Sequence, residues 1–432
     1  MDLQEDPNVG ERRPVALHRK LRRATVVSSL ALLMLGVGFV GTGEAAHVGC
    51  GQVITKSTTL DSDVGPCPSH GLIVRAGNIK LNLNGKTVFA ANGPQETVGI
   101  FLANVKRATV SNGTVTGFDA GVNIAGNQGN TVTGLYVHDN INDNIETANE
   151  AEDCTFGDGI TTTDSDQNTI TNNRVVHNGP FSGIALVGDS DGNTVKGNTV
   201  ADNNVPSKGA GNPDLPLVRG GNCGRGIQDI GVRVEGPGAN LNVVEGNSVT
   251  NSALTGIALH GHVYCPPTAT PGVCGTPEPD NSQNRVTSNY VADTGRQTYA
   301  EDRVADGIAL LRQGPGNIVG VSQGNTIENN SVVRNYRHGI FLGNPTQTGT
   351  PAGNTVRNNN VTANRANGIF APAGSVNNTL TGNTATGNAT GIVDPSDATL
   401  PVAYDAKDRN ADCDNNLWSG NVFGTVNQSC VK

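Results

Sequence analysis

The chain has 432 residues and a formal net charge of -9, with 57 Gly, 4% aromatic and 16% charged residues. That length is too great for one ordinary compact core but suits a repeat array that grows in one direction. The acidic balance argues against a nucleic-acid partner, which needs a basic face. Regularly spaced Ile, Val and Leu argue against disorder.

Residues 1–45 have the layout of a secretory signal. Arg12, Arg13, Arg19, Lys20, Arg22 and Arg23 form a basic head, residues 26–40 an apolar run, and Gly43-Glu44-Ala45 a small-residue cleavage site. The run is short for a membrane span of roughly 20 apolar residues. After cleavage no stable membrane insertion is expected, with an uncleaved anchor as the alternative. Arg22-Arg23 also admits a twin-arginine reading, which the following residues fit poorly. Residues 46–432 are then the secreted domain.

Eight cysteines follow, and an even count in an exported chain reads as disulfides. Their placement suggests local clips: Cys50 with Cys67, Cys265 with Cys274 and Cys413 with Cys430, leaving Cys154 with Cys223 by elimination. The last pair flanks Trp418 and Phe423 and is expected to close the end of the core.

Two patterns alternate from Gly71 onward. One is Gly-Ile-x-Leu, as in Gly183-Ile184-Ala185-Leu186, Gly256-Ile257-Ala258-Leu259, Gly307-Ile308-Ala309-Leu310 and Gly339-Ile340-Phe341-Leu342. The other is Asn-Thr-Val-x-x-Asn-x-Val, as in Asn193-Thr194-Val195 with Asn198-Thr199-Val200. Without insertions the unit is roughly 22–25 residues, a solenoid period. Each apolar piece is a short β-branched strand, and the intervening Gly and Asn tolerate the left-handed backbone of sharp bends. Three strands make one turn, and equivalent strands pair about 4.8 Å apart. The expected fold is all-β: a single right-handed parallel β-helix of about ten to twelve rungs with three parallel sheets and Asn ladders at its corners. A leucine-rich repeat would need Leu dominance and a helical segment per unit, and the chain has neither.

These units resemble the parallel β-helix repeats of the pectin-lyase-like superfamily, especially its NosD-like and carbohydrate-binding groups. Residues 50–85, through Cys67 to Asn82-Leu83-Asn84-Gly85, are similar to the first rungs of exported bacterial members. The resemblance implies an extended polysaccharide as partner. It leaves lyase, hydrolase, non-catalytic binding or structural roles, and a NosD-like part in metal-centre assembly open. The Asp-Asp, Gly-His-Gly and Arg-Ile-Lys motifs of polygalacturonase relatives and the Asp-Pro-His motif of alginate epimerases are absent.

Insertions place the site. Residues 138–158, 201–230 and 293–306 precede the Gly-Ile strand, while 260–283, 311–324 and 343–353 follow it. Loops on both edges of one sheet would wall a groove. Its floor is expected to be Ala185, Arg233, Ala258, Ala309, Phe341 and Phe370, which alternate with inward Ile and Leu. Phe341 and Phe370 could stack sugar rings or pack under loops. Arg233 matches a uronate carboxylate, which points to an acidic glycan. Asp158, Asp306 and His338 each precede the Gly of a Gly-Ile strand. Asp306 and His338, on consecutive rungs, are the expected acid–base pair, with Asp229 as a further catalytic candidate and His260 and Asp302 as wall residues that bind substrate. His260-Gly261-His262 lacks a third metal ligand, so no metal site is assigned. No cofactor is evident, calcium is kept as an option, and a monomer is expected.

Overall fold

The computed structural model describes residues 45–91, 97–126, 128–141, 158–179, 181–203, 230–236, 238–262, 281–295, 305–313, 322–343, 353–389 and 402–432. All lie in the compact unit Gly43–Lys432. The segment read as an export signal lies outside the described residues, except that Ala45–Ala46 already form a strand paired with Thr59 and Leu60.

Short parallel strands follow one another around a common core. The first sheet holds twelve Gly-Ile strands, which number the rungs. Rungs 1 to 4 are Gln52–Ile54, Leu72–Val74, Val98–Ala103 and Ala120–Ala125. Rungs 5 to 8 are Asp158–Thr163, Ser182–Val187, Ile230–Glu235 and Ile257–His262. Rungs 9 to 12 are Ile308–Gln313, Ile340–Leu342, Ile369–Ala371 and Ala406–Asp408. The Asn-Thr-Val pieces form a second and a third stack. Strands Thr109–Thr116 and Thr131–His138 run unbroken through the corner between those two, so their hydrogen-bond network is continuous. One 3-10 turn, Ala411–Cys413, is the only helical element among the described residues.

The core is a stack of Ile, Val and Leu, two from most Gly-Ile strands and one from each strand of the other two stacks, as in Ile184 and Leu186 with Val195 and Val200. The glycine opening each Gly-Ile strand has a steric cause. A Cβ on Gly256 would overlap Val291 Cγ1 of the third sheet and lie 2.7 Å from the Gly307 carbonyl oxygen. The corner between the second and third sheets needs one left-handed residue per rung. Asn172, Gly197, Gly246, Ser288, Asn329, Asn358, Gly382 and Gly420 supply it, with φ between 55° and 65°.

The next residue in each of these corners is a ladder asparagine. Asn289 donates its main-chain N–H and its amide to Asn330 Oδ1 at 2.9 and 3.0 Å, and Asn330 repeats this toward Asn359. A second ladder runs Asn130, Asn168, Asn193, Asn242, Asn284 and onward. Each amide satisfies buried backbone groups that would otherwise cost about 1–3 kcal/mol. The expected Asn ladders are therefore present.

Cys50–Cys67 and Cys413–Cys430 are bonded as expected. Cys154, Cys223, Cys265 and Cys274 lie outside the described residues. Trp418 is buried at the last rung, edge-on to Phe423 at 5.8 Å, and donates its indole N–H to Asp408 at 2.8 Å.

Candidate functional site

The outer face of the first sheet carries the chemistry. Cross-rung pairing puts Ile73, Phe101, Asn123, Thr161, Ala185, Arg233, Ala258, Ala309, Phe341, Phe370 and Lys407 in one outward row. The row is as expected, but its exposure is not. From Thr161 onward every member is buried, and only the stretch through Ile73, Phe101 and Asn123 is half-buried. The open floor expected from Ala185 to Phe370 is thus corrected. Ala258, Ala309, Phe341 and Phe370 join Ile230 and Leu311 in a second apolar cluster, separate from the core. Alternation tells which side a residue faces, not what lies over it.

A polar group interrupts the row at rungs 5 to 8. Arg233 Nη1 donates to Glu235 Oε2 at 2.7 Å and its Nε to Ser182 Oγ at 3.1 Å, while the guanidinium lies 3.8 Å from the centre of the Phe181 ring. Glu235 Oε2 also lies 3.2 Å from His260 Nδ1. A carboxylate held by a guanidinium only accepts, so the imidazole proton belongs on Nδ1 in this contact. Arg233 and Glu235 are 4% and 3% exposed, so they form an ion pair out of water. A uronate held by Arg233, as expected from the sequence, would compete with Glu235 and Ser182 for the guanidinium.

Asp158, at the start of rung 5, completes the group. Burial pushes its carboxyl up to about 7, against the opposing hydrogen bond from Thr161, the charge of Arg233 and the hydrogen bond from Ser182. Thr161 donates to Oδ2 at 2.7 Å, and Oδ1 has no hydrogen-bond partner among the described residues. Near neutrality this carboxyl can give or take a proton, as acid–base chemistry requires.

Asp306 and His338 sit on consecutive rungs, as expected, but the bonding differs from an acid–base pair. Both Asp306 oxygens go to Arg337, at 2.8 and 2.6 Å, and Oδ1 also accepts the His338 main-chain N–H at 3.0 Å. The His338 ring stands against Phe341 and Phe370, with centroids at 5.3 and 5.0 Å, and its Nδ1 accepts from the Asn367 main-chain N–H at 3.2 Å. The carboxylate is thus committed to a neighbouring guanidinium. Asp229 and Asp302 lie outside the described residues, as does the His262 side chain.

Sequence reasoning missed Glu235 and Arg337. Glu235 follows Arg233 by two, so alternation alone would have put it on the same face. Arg337 lies in a bend, where alternation fails. No group of three His, Cys, Asp or Glu residues stands together for a metal among the described residues.

Comparison with known proteins agrees with this architecture. Residues 71–268 match the family described as right handed beta helix region, and residues 279–429 match that described as periplasmic copper-binding protein (NosD). The chain is a right-handed parallel β-helix, and the NosD match is confined to residues 279–429. No curated protein matches. Similar solved structures include an alginate lyase from Paenibacillus sp., with TM-score 0.39 and 11% identity over 79% of this chain and 87% of that one. Another is the A-module of a mannuronan C-5 epimerase from Azotobacter vinelandii, with TM-score 0.48 and 11% identity over 88% of each chain. A third is a pectate lyase, with TM-score 0.46 and 13% identity over 84% and 74%.

Proposed function

We propose that this right-handed parallel β-helix protein binds an extended polysaccharide along the outer face of its first sheet and modifies it there by acid–base chemistry. The carrying observation is the buried group Asp158, Arg233, Glu235 and His260 on one sheet face. Asp158 is the proton donor and acceptor, because burial holds its carboxyl at about 7. Glu235 orients His260 through Nδ1, which turns Nε2 toward accepting a proton. Arg233 fixes Glu235 through its Nη1 hydrogen bond. Phe341 and Phe370 continue the same face as an apolar wall two and three rungs beyond His260. The reaction is a lyase or hydrolase type of bond cleavage, and the protein works outside the cytoplasm, where its two described disulfides persist.

Incubation with a glycan panel tests this reading. New reducing ends or unsaturated products are expected, with turnover falling about 100-fold or more in Asp158→Asn and His260→Ala while binding changes little. Products formed equally fast by both variants would remove the acid–base assignment.

A second reading follows from the match over residues 279–429: a periplasmic role in copper handling. It predicts stoichiometric copper binding in equilibrium dialysis, and absence of binding at micromolar copper would end it.

A further inference from the structure

The outer face of the second sheet carries a charged group that the acid–base chemistry does not involve. Register places Arg285, Thr326 and Thr355 in one outward row over rungs 8 to 10, and Thr287, Glu328 and Arg357 in the row beside it. Arg285 Nε donates to Glu328 Oε1, and Arg357 Nε donates to Glu328 Oε2 at 2.6 Å. One carboxylate thus draws two guanidiniums together over rung 9. The Glu328 side chain is 3% exposed, while those of Arg285 and Arg357 are 53% and 50% exposed. Each guanidinium is engaged through Nε alone, and the Nη groups of both have no hydrogen-bond partner among the described residues. The hydroxyls of Thr326 and Thr355, both half-buried, have none there either.

Two like charges are therefore held close against a single opposite one, which leaves positive charge in surplus. Bidentate pairing is the stronger form of an Arg–carboxylate contact, and neither arginine makes it with Glu328. In the same rows, Lys196 of rung 6 and Glu245 of rung 7 lie 3.2 Å apart and offset each other. Surplus positive charge and accessible donors thus stand together on a chain whose net charge is -9.

We propose that Arg285, Arg357, Thr326 and Thr355 form a surface site for the anionic substituent of a glycan, a carboxylate or a sulfate ester. Glu328 is the positioning residue that holds both guanidiniums in place. The site goes beyond the first-sheet reading and shares with it only the polysaccharide partner. Both substituents offer several acceptor oxygens, and the Nη groups only donate. Hydrogen bonds between ionised partners are about twice as strong as neutral ones, so an anionic substituent is favoured over a sugar hydroxyl. The site lies on a different sheet from Asp158, so it tethers the polymer and takes no part in the acid–base step.

The test is calorimetric titration of the exported chain with polygalacturonate, dextran sulfate and a neutral β-glucan, at low and at physiological salt. At least one anionic polymer should bind about 10-fold or more tighter than the neutral one, with the gap narrowing at the higher salt. The tighter of the two anionic polymers tells carboxylate from sulfate ester. Arg285→Gln with Arg357→Gln should weaken that binding by about 10-fold or more. Arg285→Lys with Arg357→Lys keeps the charge but loses the planar donors, and should weaken it by about 3-fold or more. Lys196→Gln removes an exposed positive charge from the same sheet and should change binding by less than about 2-fold. Circular dichroism should be unchanged in every variant. Anionic polymers bound no better than the neutral one overturn the site. So does full binding in the lysine pair, or a loss in Lys196→Gln as large as that in the glutamine pair. If anionic binding depends on the arginine pair and Asp158→Asn keeps full turnover, the site stands and the acid–base reading falls. If a glycan is turned over in an Asp158-dependent way and the arginine pair has no effect on binding, the reverse holds. Binding of no glycan removes both.

Discussion

Buried charge at single positions sets the most direct expectations. The Asp158 carboxyl titrates at about 7 in the folded protein against 3.8 when exposed. Its raised value means that the unfolded chain ionises first as pH rises. The stability this group gives is fully present below about pH 4 and is lost between about pH 4 and 7. Asp158→Asn abolishes that loss and should stabilise the protein above pH 7, by roughly 4 kcal/mol at most, with little effect at pH 4. Thermal melts at pH 4 and pH 8 check the sign, and equal shifts at both would contradict it. Asp306 presents a different case, a buried side chain with a bonded partner. It is fully buried and bonded to Arg337, so Arg337→Met strands a charge and should cost about 3–5 kcal/mol. Adding Asp306→Asn should recover much of that loss. A double variant no better than the single would show that the pair is not coupled. Neither partner assignment was legible in the sequence. Asp158 feels the charge of Arg233 because rungs 5 to 7 stack, and their separation along the chain carries no trace of that proximity.

At the level of the strand and its corner, far more could be read in advance. Gly-Ile-x-Leu and Asn-Thr-Val recur because each rung meets the same neighbours. Gly256 faces Val291 as Gly307 faces Val332, and Asn289 bonds Asn330 as Asn330 bonds Asn359. A local steric or hydrogen-bond need repeated along the axis becomes a sequence period. Exposure does not, since a strand residue such as Phe341 faces outward in every reading and is nonetheless buried. Asn330→Ala removes one link and leaves the Asn289 main-chain N–H and one N–H of its side-chain amide unmet, the other still donating to the Val244 carbonyl. The expected cost is about 1–3 kcal/mol, confined to neighbouring rungs. Hydrogen exchange should show faster opening around Val286, Ile327 and Val356, with distant rungs unchanged. Uniform loss of protection would mean that the ladder acts globally.

Across the whole array, each rung touches only its neighbours, so stability accumulates along the axis and the ends are the weak points. The described bridges lie at those ends, Cys50–Cys67 before rung 2 and Cys413–Cys430 beyond rung 12. Along the same axis the outer face of the first sheet changes from half-open and apolar at rungs 2 and 3 to polar at rungs 4 to 8. Beyond them it is closed and apolar through rungs 9 to 11, ending on the buried Lys407 of rung 12. A polymer bound there would run along the axis across several rungs, with Asp158 where the accessible strip meets the buried group. The decisive measurement is the pH dependence of kcat/KM for wild type and Asp158→Asn on a glycan that the protein is shown to bind. The account predicts a limb near pH 7 in the wild type and a loss of about 100-fold or more in the variant, with binding retained. An unchanged profile and rate in Asp158→Asn would contradict it.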